Sequence, residues 1–187
     1  MSKNTAQQQL TLTQQWLETI VVGMNLCPFA KPVVKAQSLR YALTQTSDSE
    51  QLLRFFLAEL EKIAQASEQQ IATTLVIMPS AVADFYDYLD LLAQCEGLLE
   101  SAQLAGEFQL ASFHPGYLFA GVDIDDMSHW TNRSPYPMLH IIRQGQMSRL
   151  LAGYPNPESI PQRNIQLLRE LGRAELIQRF PPFADYT

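Results

Sequence analysis

Apolar positions along this chain recur in two periods, every three to four residues and every two, and the changes between them mark out helices and strands. Leu12, Trp16, Ile20 and Met24 share one helical face, and Thr11-x-x-Gln14 has the form of a capping box. Together they predict a helix over about 11–25, with residues 1–10 disordered before it. Pro28 and Pro32 then predict an extended segment. Leu39 to Thr44 alternates with period two and reads as a strand. Ser47-x-x-Glu50 forms a second capping box, opening a helix that buries Leu53, Phe56, Leu57, Leu60 and Ile63. Thr74 to Met78 is a continuous apolar run, as expected of a central strand covered on both faces. Pro79-Ser80 ends it and caps a third helix, with Val82, Phe85, Leu89, Leu92 and Leu99 inward.

After Gly106 the pattern predicts strands over 108–113 and 138–143. Residues 145–171 are mostly helical in pattern, with Gly172 as the C-cap. The Phe180-Pro181-Pro182-Phe183 tail reads as a docked extended segment. The element order is therefore α-β-α-β-α-β-β-α. Two helical crossovers imply three parallel strands joined by right-handed connections, and the fourth is expected to run antiparallel to its neighbour. The expected fold is α/β, bordering on α+β. It is one domain over 1–187 built on a small mixed four-stranded sheet, three strands parallel and one antiparallel, with helices packed on it. Residues 114–137 form a long Pro- and Asp-bearing loop that packs on Tyr117, Phe119 and Trp130. Loops of that length in a compact domain are often functional.

Composition narrows the picture. A chain of 187 residues, 47% of them apolar, is long enough for one well-cored domain. No run of about 18 apolar residues is present, so no membrane span is expected. The Gln/Thr-rich N-terminus lacks the apolar stretch of a signal peptide. Cys27 and Cys95 form no disulfide framework, Cys95 falls on an apolar stripe as a buried thiol, and a reducing cytoplasm is the expected setting. The net charge of −6 is uneven. Residues 1–132 hold 6 bases against 15 acids, a balance of −9, whereas 133–187 hold 7 bases against 4 acids, a balance of +3. All seven are arginines, whose planar fork suits carboxylate or phosphate. The acidic total argues against nucleic-acid binding.

Candidate chemistry collects at strand ends. Ligands of open α/β sheets lie beyond the carboxyl ends of parallel strands. Here those ends deliver Thr44, Ser80 and His114, and an antiparallel fourth strand brings Asn132, Arg133 and Ser134 to the same rim. If Ser80 opens a helix, its free amides favour an anion. The result is a candidate anion pocket of His114, Arg133, Ser134 and the amides after Ser80, with Asn132 and Tyr117 beside it. Arg143 lies at the other end of its strand as a separate binding feature.

His114 is the candidate acid or base, or equally a strand terminator bonded to loop carbonyls. His140, facing the same way as Met138 and Ile142, orients a neighbour or is a satisfied core residue. Arg133 contacts ligand or clamps its loop. Cys27 is a candidate nucleophile, but a position just past a helix C-terminus raises a thiol pKa, so a buried small residue is the simpler reading. A metal held by Cys27, His114, His140 and a nearby aspartate lacks any known ligand spacing. Asp123-x-Asp125-Asp126 has Ser128 and Ser134 where an EF-hand needs Gly and Glu. There is no GxGxxG, Walker loop, GxSxG or HExxH.

Three motifs in order carry a resemblance: Leu26-Cys27-Pro28-Phe29-Ala30, then Phe113-His114-Pro115-x-Tyr117-x-Phe119, then Asn132-Arg133-Ser134-Pro135-Tyr136-Pro137-x-Leu139-His140. The chain resembles the bacterial domain-of-unknown-function 1415 family from about Gln14 to Gly172. The resemblance implies a stand-alone cytoplasmic protein of this size. It brings no activity, cofactor or substrate with it. The leading expectation is thus an enzyme, or enzyme-like protein, acting on a small anionic metabolite at the sheet rim. One alternative is a non-catalytic metal- or ligand-binding module using Cys27, His114 and His140. The other is an interaction domain whose motifs only lock the long loop. Cofactor and oligomeric state are left open by the sequence.

Overall fold

A computed structural model describes residues 4–186. Helix α1 (Ala6–Trp16) runs directly into a π-helical segment (Leu17–Val22), followed by α2 (Ala30–Lys35). Strand β1 (Leu39–Leu43), α3 (Ser49–Gln65), β2 (Thr73–Ile77), α4 (Phe85–Ser101) and β3 (Phe108–Phe113) come next. After the long loop, with its 3-10 turn at Met127–Thr131, come β4 (Met138–Arg143), α5 (Gln144–Ala152) and α6 (Ile160–Arg179).

The sheet order is β1-β2-β4-β3. Only β1 and β2 pair in parallel; β4 sits between β2 and β3 and is antiparallel to both. The expected parallel trio is therefore corrected: β3 points the same way as β1 and β2, but the pairing is mostly antiparallel. The reason is the long loop, which carries the chain from the end of β3 back into the gap beside β2. Tyr88 of α4 stitches this join, its hydroxyl donating to Met138 O (2.7 Å) and accepting from Phe113 N (3.1 Å).

Two cores cover the two faces. Phe56, Leu60 and Ile63 of α3, with Tyr88, Leu91 and Cys95 of α4, pack on Val76, Leu139 and Ile141. Trp16 and Ile20, Leu168 and Leu176 of α6, and Phe180 and Phe183 pack on Leu75, Ile77 and Met138. Alternation along β4 settles which face each neighbour serves. Met138, His140 and Ile142 face the α1/α6 side, and Leu139, Ile141 and Arg143 face α3 and α4.

Several boundaries depart from the pattern-based expectation. The first helix starts earlier than the sequence pattern predicts, because Thr5 and Gln8, not Thr11 and Gln14, form the capping box. Residues 1–3 of the expected disordered stretch lie outside the described residues, and Ala6–Leu10 are helical. Pro32 sits within the first turn of α2, where a missing N–H costs nothing. Asp48, not Ser47, caps α3. Asp84, not Ser80, caps α4, its carboxylate accepting from Tyr86 and Asp87 N–H. Gly172 interrupts α6 with φ 71° and ψ 168°, a conformation essentially reserved for glycine. The tail docks as a 3-10 turn (Pro181–Asp185), with Phe180 and Phe183 buried.

Candidate functional site

The sheet separates the three candidate catalytic residues. His114 follows β3 on the α4 face, in contact with Phe85 and Tyr88. Gly116 N–H donates to its Nδ1 (3.0 Å), so Nε2 carries the proton and donates to Val82 O (3.0 Å). Both nitrogens are thereby spent on backbone, and burial pushes the imidazole pKa down. Tyr117 packs beside it on Phe85 and meets Ser112 through its hydroxyl.

The loop residues are tied in the same manner. Asn132 donates to Ser112 O (3.0 Å) and its carbonyl accepts from His114 N–H (3.2 Å). The fully buried Ser134 donates to Tyr136 O (2.7 Å). His129, which the motif reading passed over, accepts from Phe119 N–H at Nδ1 and donates from Nε2 to Asp123 O. Asp126 caps the 3-10 turn and pairs with Arg169 of α6 (2.8 Å), which holds its carboxyl well below the usual range.

Ser80 is exposed and donates to Gln45 (3.0 Å); it starts no helix, so the expected amide cradle after it does not form. The N–H groups at the true start of α4 are taken by Asp84. Arg143 lies at the far end of β4, as the strand pattern expected. It clamps the end of α3, donating to Ile63 O, Ala66 O (2.6 Å) and Ile71 O (3.2 Å), with its guanidinium 5.5 Å from the Phe108 ring.

Cys27 and His140 are brought together on the opposite face. A cavity of about 100 Å³ lies between the sheet, the π-helical segment, α2 and α5. Its walls are almost entirely apolar, with Trp16, Val21, Leu75, Phe113, Met147 and Leu150 among them. Cys27, Thr73, His140 and Gln146 are the polar residues in its lining. Thr73 donates to Ile141 O (2.6 Å), which commits its proton. His140 Nε2, 2.5 Å from Thr73 Oγ1, must then be the donor in that pair. The tautomer is fixed, and Nδ1 is left as an acceptor with no donor among the described residues. Burial pushes the His140 pKa down to about 4, so the ring is neutral near pH 7.

A second cavity, of about 570 Å³, shares Val21, Cys27 and Phe113 with the first. Cys27 is therefore part of the partition between them. Two α6 side chains fix its loop: Asn164 Nδ2 donates to Leu26 O (2.7 Å), and Arg163 donates to Asn25 O. Burial raises the Cys27 thiol pKa, partly offset by Phe29 and Ala30 N–H groups at the start of α2. The direction agrees with the sequence-based expectation, but its cause is desolvation; the nearest helical amides act the other way.

The π-helical segment forms part of this wall. Four consecutive β-branched residues, Thr19 to Val22, crowd an ordinary α-turn. The wider turn lets Gly23 N–H reach Glu18 O (2.9 Å) and Leu26 N–H reach Val21 O (2.9 Å). Such insertions are frequent at functional sites. Among the described residues no group of three His, Cys, Asp or Glu side chains is placed to hold a metal, and no helix is long and apolar enough to cross a membrane.

A family model described as "Protein of unknown function (DUF1415)" matches residues 8–178. No curated protein and no solved structure matches. The match covers most of the chain and shows its family: the protein belongs to DUF1415.

Proposed function

For this member of the DUF1415 family, we propose a small-molecule-binding role centred on the cavity of Cys27, Thr73 and His140. The observation that carries the reading is a neutral imidazole with a free acceptor nitrogen in an otherwise apolar enclosure. An acceptor that faces an apolar cavity with no donor among the described residues gains a hydrogen bond from a ligand that donates to it. The ligand is therefore neutral and largely apolar, with a hydroxyl or N–H to place on His140 Nδ1. A cavity of about 100 Å³ takes only a short hydrocarbon group, and any longer ligand would need the larger cavity beyond Cys27.

The chemistry favours binding over thiol catalysis. A raised Cys27 pKa leaves the thiol protonated near pH 7, and a neutral His140 has not taken its proton. The anionic-metabolite reading loses the Ser80 amides and keeps only Arg133, on other walls.

The test is a thermal-shift and native mass-spectrometry series of neutral alcohols, amides and alkanes of about four to eight carbons, a size range set by the cavity. Leu150→Trp fills the cavity and His140→Leu removes its acceptor. Short alcohols or amides should stabilise the wild type and fail on Leu150→Trp. On His140→Leu their advantage over the alkane of equal size should vanish. Equal shifts for wild type and Leu150→Trp across the whole series would sink the proposal.

A further inference from the structure

Every arginine except one finds an acceptor among the described residues. Arg40 pairs with Glu59, Arg54 with Glu50, Arg149 with Glu68, Arg169 with Asp126 and Arg179 with Glu175. Arg143, Arg163 and Arg173 donate to backbone carbonyls. Arg133 is the exception: it is 4% exposed, its Nε is buried without a partner, and its guanidinium meets no acceptor among the described residues. What it does touch is the Trp130 ring, 4.5 Å from the ring centroid. Arg173 approaches the same ring at 5.9 Å. Two guanidiniums thus share one indole, and Asp126, the carboxylate that caps the 3-10 turn carrying Trp130, is already paired with Arg169. Stacking on an aromatic face returns part of the cost of burying a cation, but it supplies no hydrogen-bond acceptor.

We propose that Arg133, Trp130 and Arg173 form an oxyanion-binding site, distinct from the Cys27–His140 cavity, that takes the carboxylate or phosphate group of a small molecule. The planar fork of Arg133 offers paired N–H donors of the right geometry for such a group. Arg173, exposed beside it, adds positive potential at the entrance. Trp16 fixes the position from below, donating from Nε1 to Arg133 O (3.1 Å). Ser134 and Tyr136 each precede a proline, which disfavours helical backbone in this segment.

The site is tested with inorganic phosphate, sulfate, acetate and citrate, each against sodium chloride of equal ionic strength. Melting temperature and tryptophan fluorescence are followed in wild type, Arg173→Gln, Arg133→Lys and Arg133→Met. At least one oxyanion should raise the wild-type midpoint by several degrees above chloride and perturb the Trp130 emission. Arg173→Gln, an exposed change that gives up the bond to Tyr186 O, should weaken that anion roughly fivefold. Arg133→Lys should weaken it further, and Arg133→Met should abolish it. Leu150→Trp should bind it as the wild type does, so failure here and failure of the cavity proposal are separable. Four anions that all track chloride in the wild type would overturn the site, as would equal affinity in wild type and Arg173→Gln. Should Arg133→Met not fold, the Arg173→Gln comparison decides.

Discussion

His140 and His114 are both held neutral by burial, and the consequence for acid stability has a definite sign. An unfolded imidazole takes a proton near pH 6.5, whereas folded His140 does so only near 4. Between those values the unfolded chain binds more protons, so the stability of the fold falls as the pH drops from 6.5 towards 4 and is fully present above 6.5. His114 acts in the same direction. For His140 alone the loss amounts to about 3 kcal/mol. Denaturant titrations at pH 7.5 and 4.5 should show a marked loss in the wild type and a clearly smaller one in His140→Leu. Identical pH slopes for the two proteins would rule out a neutral buried His140. Arg143 gives a second prediction at this scale. Arg143→Met strands the carbonyls of Ile63, Ala66 and Ile71 and should cost about 3 kcal/mol in urea unfolding. Arg143→Lys, with one nitrogen instead of a fork, should fall between. A loss under about 0.5 kcal/mol for Arg143→Met would mean that those carbonyls are satisfied some other way.

At the scale of elements, the sequence made the strands legible and the caps less so. All four strands stand within one residue of their expected positions, because β-branched and apolar runs bounded by Gly and Pro leave little freedom. The caps slipped because Thr5 and Thr11, Ser47 and Asp48, or Ser80 and Asp84 compete as N-caps, and only tertiary fit decides between them. The π-helical segment was not legible: periodicity sees an apolar face, and a single extra residue per turn hardly disturbs it. Gly23 is its local marker. A Cβ there would lie 2.4 Å from Thr19 O, a backbone atom that cannot swing aside. Gly23→Ala should therefore unwind the segment, costing about 1–3 kcal/mol by chemical denaturation, and shift the Cys27 loop. The readout beyond stability is the thiol: labelling of Cys27 by an aromatic disulfide should accelerate in the variant. Unchanged stability and unchanged labelling would show that the turn has room to relax.

At the scale of the whole molecule, the motif residues that looked like one site divide into three groups. Asn132 ties the long loop to β3, His114 ties it to the segment before α4, and Ser134 and His129 brace the loop from within. Cys27 and His140 share a cavity on the other face, and Arg133 stands over Trp130. Residue types alone could not separate these groups, since adjacent residues such as Leu139 and His140 serve opposite faces. The division predicts where the fold is weakest. The face under α3 and α4 is a continuous core, and β4 is paired on both sides. The cavity face is closed by α2 and α5, neither of which contains a buried residue. Few buried contacts mean low local stability, so these two helices should open well before the sheet does. Amide hydrogen exchange should find β2 and β4 exchanging only by global unfolding, and α2 and α5 exchanging by local opening. A ligand seated against His140 should slow exchange in α2 and α5 in particular, because both supply cavity walls. An oxyanion at Arg133 should instead protect the segment around Trp130 and the part of α6 near Arg173. Exchange in α2 and α5 as slow as in β4, with no ligand present, would mean that the cavity is closed to entry from this side.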